Sequence, residues 1–125
     1  MQRIILIVDD LMMIHRIVGK ILREAGYKVL RADNGRKGYE MAKTWKPDLV
    51  IMDIEMPVMD GIEATRLIKT DPDVSAIPVV MLTSLGSEED IKRAYDAGAN
   101  RFLNKPVSKD DLLTTVNGIV GKAAL

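Results

Sequence analysis

Five positions in this chain have the types needed to do chemistry together: Asp9, Asp10, Asp53, Thr83 and Lys105. Each stands where a short apolar run gives out. Ile4 to Val8 runs into Asp9-Asp10, Leu49 to Met52 into Asp53, Val79 to Leu82 into Thr83-Ser84, and Arg101 to Leu103 into Asn104-Lys105-Pro106. Three carboxylates gathered in one crevice repel one another, and neutralise by taking up protons, a cation or a positive side chain. Hard oxygen ligands beside one ammonium group favour magnesium, which binds through one or two carboxylates and keeps positions for water or phosphate oxygens. A carboxylate can also attack phosphorus to give an aspartyl phosphate. A lysine and a metal would spread the charge of the transferring group, and a hydroxyl such as Thr83 would donate to a phosphoryl oxygen.

That chemistry depends on elements able to bring the five positions to one edge. The run from Leu49 to Met52 is apolar without alternation, as expected of a parallel strand buried on both faces, and Ile4 to Val8 reads the same way. Asp53 then sits at a carboxyl end, where open α/β sheets form their ligand crevice. Between the strands, Ile14, Ile17, Val18, Ile21, Leu22 and Ala25 keep helical spacing up to a C-cap at Gly26. Val29, Leu30 and Ala32 form a brief strand, and Asn34-Gly35 turns into a helix over about Lys37 to Trp45. Met56-Pro57 and Asp60-Gly61 read as an ordered loop, Ile62 to Lys69 as a short helix, and Thr70 to Ile77 as a polar connection. Ser87 with Asp90, and Ser108 with Asp111, read as helix N-termini. Strands alternate with helices five times, which argues a parallel sheet with helices on both faces and right-handed crossovers.

Composition narrows the function classes. The 125 residues suit one domain, 1–125, and eighteen basic residues balance eighteen acidic ones, so overall charge calls for neither nucleic acid nor a membrane surface. The absence of cysteine removes thiolate catalysis and disulfides, and the single histidine cannot build a His-rich metal site. The N-terminal apolar run is too short for a signal peptide or a membrane span, and the default expectation is a soluble cytoplasmic protein.

The VDD ending the first strand, the DIEMPVMDG that begins at Asp53, the Thr-Ser after the fourth strand and the Lys-Pro after the fifth are in order and in register. Together they resemble the receiver domain of bacterial two-component response regulators, of the CheY-like kind, over essentially the whole chain. The resemblance implies a flavodoxin-like doubly wound fold with strand order 2-1-3-4-5. It implies that Asp53 is the phosphoacceptor, supplied by a histidine kinase, a phosphotransfer protein or a small phosphodonor. Magnesium, with manganese as a substitute, would be held by Asp10 and Asp53, by Asp9 mostly through water, and by the backbone carbonyl of Glu55. Lys105 would contact the phosphoryl group, its bond to Pro106 being cis. Thr83 would move toward the phosphate and Phe102 would turn inward, switching the face of the fourth helix, fifth strand and fifth helix toward a downstream effector or a covalently linked output domain. Such a protein is not an enzyme in the ordinary sense, although it promotes its own phosphorylation and dephosphorylation.

Other readings stand beside this one. A magnesium-dependent phosphohydrolase of haloacid-dehalogenase-like type would also use an aspartate nucleophile, but it wants DxDx(T/V), and Asp53-Ile54-Glu55-Met56-Pro57 lacks the second aspartate. A constitutive scaffold would not need the acidic cluster. His15 falls off the apolar face beside Arg16, so a solvated position is expected. Glu55 and Leu85 occupy positions that in the family influence loss of the phosphoryl group. Met13 and Ile17 widen the first helix's apolar stripe, either as half-buried edge residues or, with Ile14 and Pro106, as a docking patch for a kinase or phosphotransfer helix. Gly98 to Arg101 lacks the acidic residues of the subfamily that dimerises through the fourth and fifth helices.

Overall fold

Continuous apolar runs form the middle of the sheet because helices cover both of its faces. The computed structural model describes residues 2–84 and 86–121. Its strands are β1 (Ile4–Val8), β2 (Lys28–Ala32), β3 (Leu49–Met52), β4 (Val79–Thr83) and β5 (Arg101–Asn104), and they alternate with α1 (Met12–Glu24), α2 (Gly35–Trp45), α3 (Gly61–Thr70), α4 (Glu88–Asp96) and α5 (Lys109–Val120). All pairings are parallel, and the spatial order is β2-β1-β3-β4-β5. This is the doubly wound order the resemblance implies.

Successive side chains on a strand point to opposite faces, which divides the core in two. Leu6, Val8, Val50, Met52, Val79 and Met81 pack with Ala42 of α2, Ile62, Ala64 and Ile68 of α3, and Ala94 of α4. The alternate positions Ile5, Ile7, Leu49, Ile51, Val80 and Leu82 pack with Val18 and Leu22 of α1 and Leu112 and Val116 of α5. Each large side chain buried this way contributes roughly 1.5–3 kcal/mol. The edge strand β2 is different: Lys28 and Arg31 are exposed on it, and charges on an edge discourage pairing with another sheet.

Helix starts follow local chemistry. Ser87 Oγ accepts the Asp90 N–H at 3.1 Å and Ser108 Oγ accepts that of Asp111 at 3.0 Å, caps worth about 1 kcal/mol each. Asn34 Oδ1 accepts from the Lys37 N–H at 2.9 Å, so α2 begins at Gly35, two residues before its expected start. Asp60, expected inside the loop, caps α3 by accepting the Glu63 N–H at 2.8 Å. Strands β4 and β5 each run one residue further than their apolar runs, because Thr83 and Asn104 still pair across the sheet.

Candidate functional site

Register brings the acidic residues together. Val8 is paired with Met52, and the Asp53 N–H continues that ladder by donating to the Val8 carbonyl at 2.9 Å. On the other side, the Asp9 N–H donates to the Ala32 carbonyl at 3.1 Å. Asp9 and Asp53 are therefore one step past the ends of adjacent strands, and Asp10 follows. One carboxylate oxygen from each of Asp9, Asp10 and Asp53 lies within 4.8 Å of the other two. Asp9 and Asp53 are buried and Asp10 is exposed.

Lys105 reaches this cluster because its N–H donates to the Thr83 carbonyl at 2.9 Å and extends the β4–β5 ladder. The bond to Pro106 is cis. Lys105 Nζ donates to Asp9 Oδ2 at 2.7 Å and stands 3.5 Å from Asp53 Oδ1. Asp9 Oδ1 accepts the Leu11 N–H at 2.9 Å, so both Asp9 oxygens are engaged. One ammonium thus faces two buried carboxylates and a third exposed one, and the balance stays negative.

Asp53 carries that imbalance. Burial, followed by the charge of Asp9, raises its pKa from 3.8 to about 6, against the opposing pull of Lys105 and of hydrogen bonds from the Ile54 N–H and the Thr83 hydroxyl. A carboxylate placed this way gains from a cation or from esterification. Three clustered oxygens of this hard type, with open space beside exposed Asp10, fit magnesium.

The remaining predicted positions fall around this centre. Thr83 is buried at the end of β4 with its hydroxyl already hydrogen-bonded to Asp53. Phe102 is half-buried on β5, packed against the core that α2, α3 and α4 share. Glu55 is exposed in the loop after Asp53. Leu85 lies outside the described residues, as do Lys122 to Leu125.

That loop is shaped by two unusual residues. Gly61 donates its N–H to the Ile54 carbonyl at 2.8 Å, and a Cβ at Gly61 would stand 1.8 Å from the Asp53 carbonyl oxygen. Only glycine allows this return. Val58 has φ 71°, and the Met59 N–H donates to the Pro57 carbonyl at 2.8 Å, a three-residue γ-turn that is rare and strained for a β-branched residue.

His15 is a correction. It is buried, not solvated, at 7% exposure, and its Nε2 lies 2.7 Å from the Asp9 carbonyl oxygen. A carbonyl only accepts, so Nε2 carries the proton. The buried positions of α1 are His15, Val18, Gly19 and Leu22; the stripe is turned from the apolar pattern, and Ile17 faces out. The acidic loop satisfies one nitrogen of the buried imidazole, and no apolar periodicity registers such a bond. Met13 and Ile17 are 68% and 51% exposed.

Comparison with known proteins places these features in context. The family model described as the response regulator receiver domain matches residues 5–117. The chain is 38% identical over 120 residues to the protein PilH of Pseudomonas aeruginosa, covering 96% of this chain and 98% of that one. It is 39% identical over 120 residues to the chemotaxis protein CheY of Halobacterium salinarum, with the same coverage. The solved receiver domain of the sensor histidine kinase PA1611 from Pseudomonas aeruginosa, which has a magnesium ion coordinated in its active site cleft, superposes with a TM-score of 0.90 at 28% identity over 97% of this chain and 99% of that one.

Proposed function

This chain belongs to the response regulator receiver domain family, and from that premise we propose that it is a signalling switch, residues 1–125 forming one receiver domain, that accepts a phosphoryl group on Asp53. Receiver domains are signalling modules, not enzymes in the usual sense, and the family match gives the phosphohydrolase alternative no support. The observation that carries the reading is the state of Asp53: a buried carboxylate with its pKa raised to about 6 and Lys105 at 3.5 Å.

In the transfer, an Asp53 oxygen bonds to phosphorus as the bond between phosphorus and the donor's nitrogen or oxygen breaks, and the leaving group departs with the electron pair. Asp10, Asp53 and the Glu55 carbonyl would hold magnesium, with Asp9 behind them; when bound, the ion supplies positive charge to the phosphoryl oxygens. Lys105 places its ammonium against the same oxygens, exchanging part of its contact with the carboxylates for one with the product. The Thr83 hydroxyl, already on Asp53, transfers its hydrogen bond to the phosphoryl group. Phe102 is next to that movement on β5 and repacks with it, so the α4, β5 and α5 face changes for a downstream effector or linked output domain.

The donor is a histidine kinase or a phosphotransfer protein in the cytoplasm. Among the described residues no helix is long and apolar enough to cross a membrane. Met13, Ile17 and Val58 are exposed at 68%, 51% and 82%, Pro106 is exposed as well, and together they offer an apolar patch on which the donor's helix would dock. Polar substitution of Met13 and Ile17 should slow transfer from a protein donor and leave small phosphodonors unaffected.

The test is incubation with magnesium and acetyl phosphate, read by intact mass. One acid-stable, base-labile phosphoryl adduct is expected, lost in Asp53→Asn. An adduct that persists in Asp53→Asn, or sustained release of phosphate from many organic phosphates, contradicts the reading.

A further inference from the structure

The two walls of the acidic centre are joined by a short turn that takes no part in the chemistry itself. At its root the site is fixed by the sheet, since the Asp53 N–H donates to the Val8 carbonyl at 2.9 Å. Glu55 is two residues further on, in the loop that leads to α3, where the sheet no longer holds it. That loop closes on itself: the Gly61 N–H donates to the Ile54 carbonyl at 2.8 Å, and Gly61 packs on the Asp53 carbonyl. Residues 54–60 are thus tied into one body, and its placement depends on what holds it from outside.

The connection between β2 and α2 supplies that hold. At one end the Ala32 carbonyl accepts the Asp9 N–H at 3.1 Å, and at the other the Gly35 N–H donates to the Met59 carbonyl at 3.1 Å. Among the described residues, no backbone donor outside the loop and its own helix α3 reaches residues 54–60 except Gly35. The approach is close. A Cβ at Gly35 would overlap the Met59 carbonyl oxygen, and it would stand 3.0 Å from the Asp60 carbonyl oxygen and 3.1 Å from Ala64 Cβ. Backbone carbonyls cannot swing aside as the end of a flexible side chain does, so this contact needs glycine. The turn is also braced. Asn34 Oδ1 accepts the Lys37 N–H at 2.9 Å, Asn34 Nδ2 donates to Asp33 Oδ1 at 3.3 Å, and Lys37 Nζ pairs with the same Asp33 oxygen at 3.2 Å.

We propose that the turn from Ala32 to Gly35 is a strut that sets the separation between Asp10 and the Glu55 carbonyl, with Gly35 as a positioning residue for magnesium and hence for phosphoryl acceptance. This role rests on the reading of Asp53 as phosphoacceptor, and it falls to a residue that touches neither the metal nor the phosphoryl group. Magnesium demands near-ideal octahedral geometry, so a displaced wall costs affinity. With a methyl group at position 35, either the Met59 carbonyl or the turn must give way. In both cases the spacing between the walls changes, because one end of the strut is fixed to Asp9 and the other to the tied loop.

The test is calorimetric titration of the full chain with magnesium alone, beside labelling by acetyl phosphate read by intact mass. Gly35→Ala should weaken magnesium about tenfold, the scale of losing a group that orients metal ligands. Its labelling should slow at low magnesium and regain the wild-type rate once the metal saturates. In the metal-free variant, amide NMR shifts should fall on Glu55 and Met59. Asn34→Ala, which removes the brace and keeps Gly35, should weaken magnesium by about threefold, and Asn34→Ser, which can still cap, should restore it. Ala42→Gly separates position from stability: Ala42 is buried in the core about two turns along α2 from Gly35. That variant should melt earlier and bind magnesium as wild type does. Unchanged magnesium affinity in folded Gly35→Ala, or an equal loss in Ala42→Gly, overturns the proposal even though wild type is labelled. Where Gly35→Ala does not fold, unchanged affinity in Asn34→Ala overturns it instead. A wild-type chain that takes no label overturns the phosphoacceptor reading itself, and this role with it.

Discussion

Asp53 and Asp71 both sit within reach of a lysine, yet their proton affinities are displaced in opposite directions. Asp71, just after α3, accepts the Tyr39 hydroxyl at 2.5 Å and the Asp73 N–H at 3.0 Å, with Lys43 Nζ at 3.0 Å. The Tyr39 hydrogen bond is the largest of the causes that lower its pKa to about 2. Asp53 has hydrogen bonds and a lysine as well, but burial and the charge of Asp9 outweigh them and raise it to about 6. At Asp71 two hydrogen-bond donors and Lys43, whose ammonium is also 4.0 Å from Asp73, meet a loop carboxylate with no like charge outweighing them, and the product is a latch between α2 and the connection that follows α3. At Asp53 the single ammonium is shared with Asp9, and the deficit remains, which suits the cation and the phosphoryl group proposed for it. The difference is the one expected between a carboxylate used for structure and the one proposed for chemistry.

Several substitutions sharpen or break this contrast. The largest effect is expected from Lys105→Met, which leaves Asp9 and Asp53 without their shared cation. Stability without metal should drop by about 3 kcal/mol near neutral pH in urea unfolding, and magnesium should restore much of it. An unchanged midpoint would mean the ammonium is not needed to hold the cluster. Asp71→Asn comes next. It removes the acceptor of Tyr39 and Lys43 and should lower the melting temperature by several degrees. Asp53→Asn should act in the opposite sense, stabilising the metal-free protein by roughly 1 kcal/mol because a buried repulsive charge is gone. If both aspartates destabilise on neutralisation, the contrast fails. Val58→Gly should be the mildest, a gain of up to about 1 kcal/mol from relief of the γ-turn at φ 71°, with labelling by acetyl phosphate unchanged.

The two carboxylates also predict opposite pH slopes. Asp53 binds its proton at higher pH in the folded chain than in the unfolded one. Stability is therefore greatest below about 4 on this account, and declines as pH rises toward about 6. Asp71 is the reverse: its contribution is complete above about 4 and disappears as pH falls toward 2. Denaturant unfolding of wild type and of each Asn variant across pH 2–8, a range chosen to bracket both windows, would show the Asp53 slope vanish in one variant and the Asp71 slope in the other.

Most of the sheet was legible because continuous apolar runs ending in polar residues leave little choice for Leu49 to Met52 or Ile4 to Val8. The acidic centre was legible for the same reason, since each of its residues is the first or second past such a run. What escaped were interactions with no period. His15 is polar, and only the Asp9 carbonyl, six residues away, makes its burial acceptable. The Tyr39–Asp71 bond joins residues 32 apart, and neither residue marks its partner in the sequence. Asp60 was visible as a turn residue, but its capping role depended on where α3 begins.

The central claim is that Asp53 is held short of partners while Asp71 is fully supplied. Carboxyl-carbon NMR titration of both residues in the metal-free protein tests it in one experiment. The account predicts a midpoint near 6 for Asp53, moving down when magnesium is added, and a midpoint near 2 for Asp71 that magnesium leaves in place. An Asp53 midpoint at or below 4 without metal, or one that ignores magnesium, would contradict it.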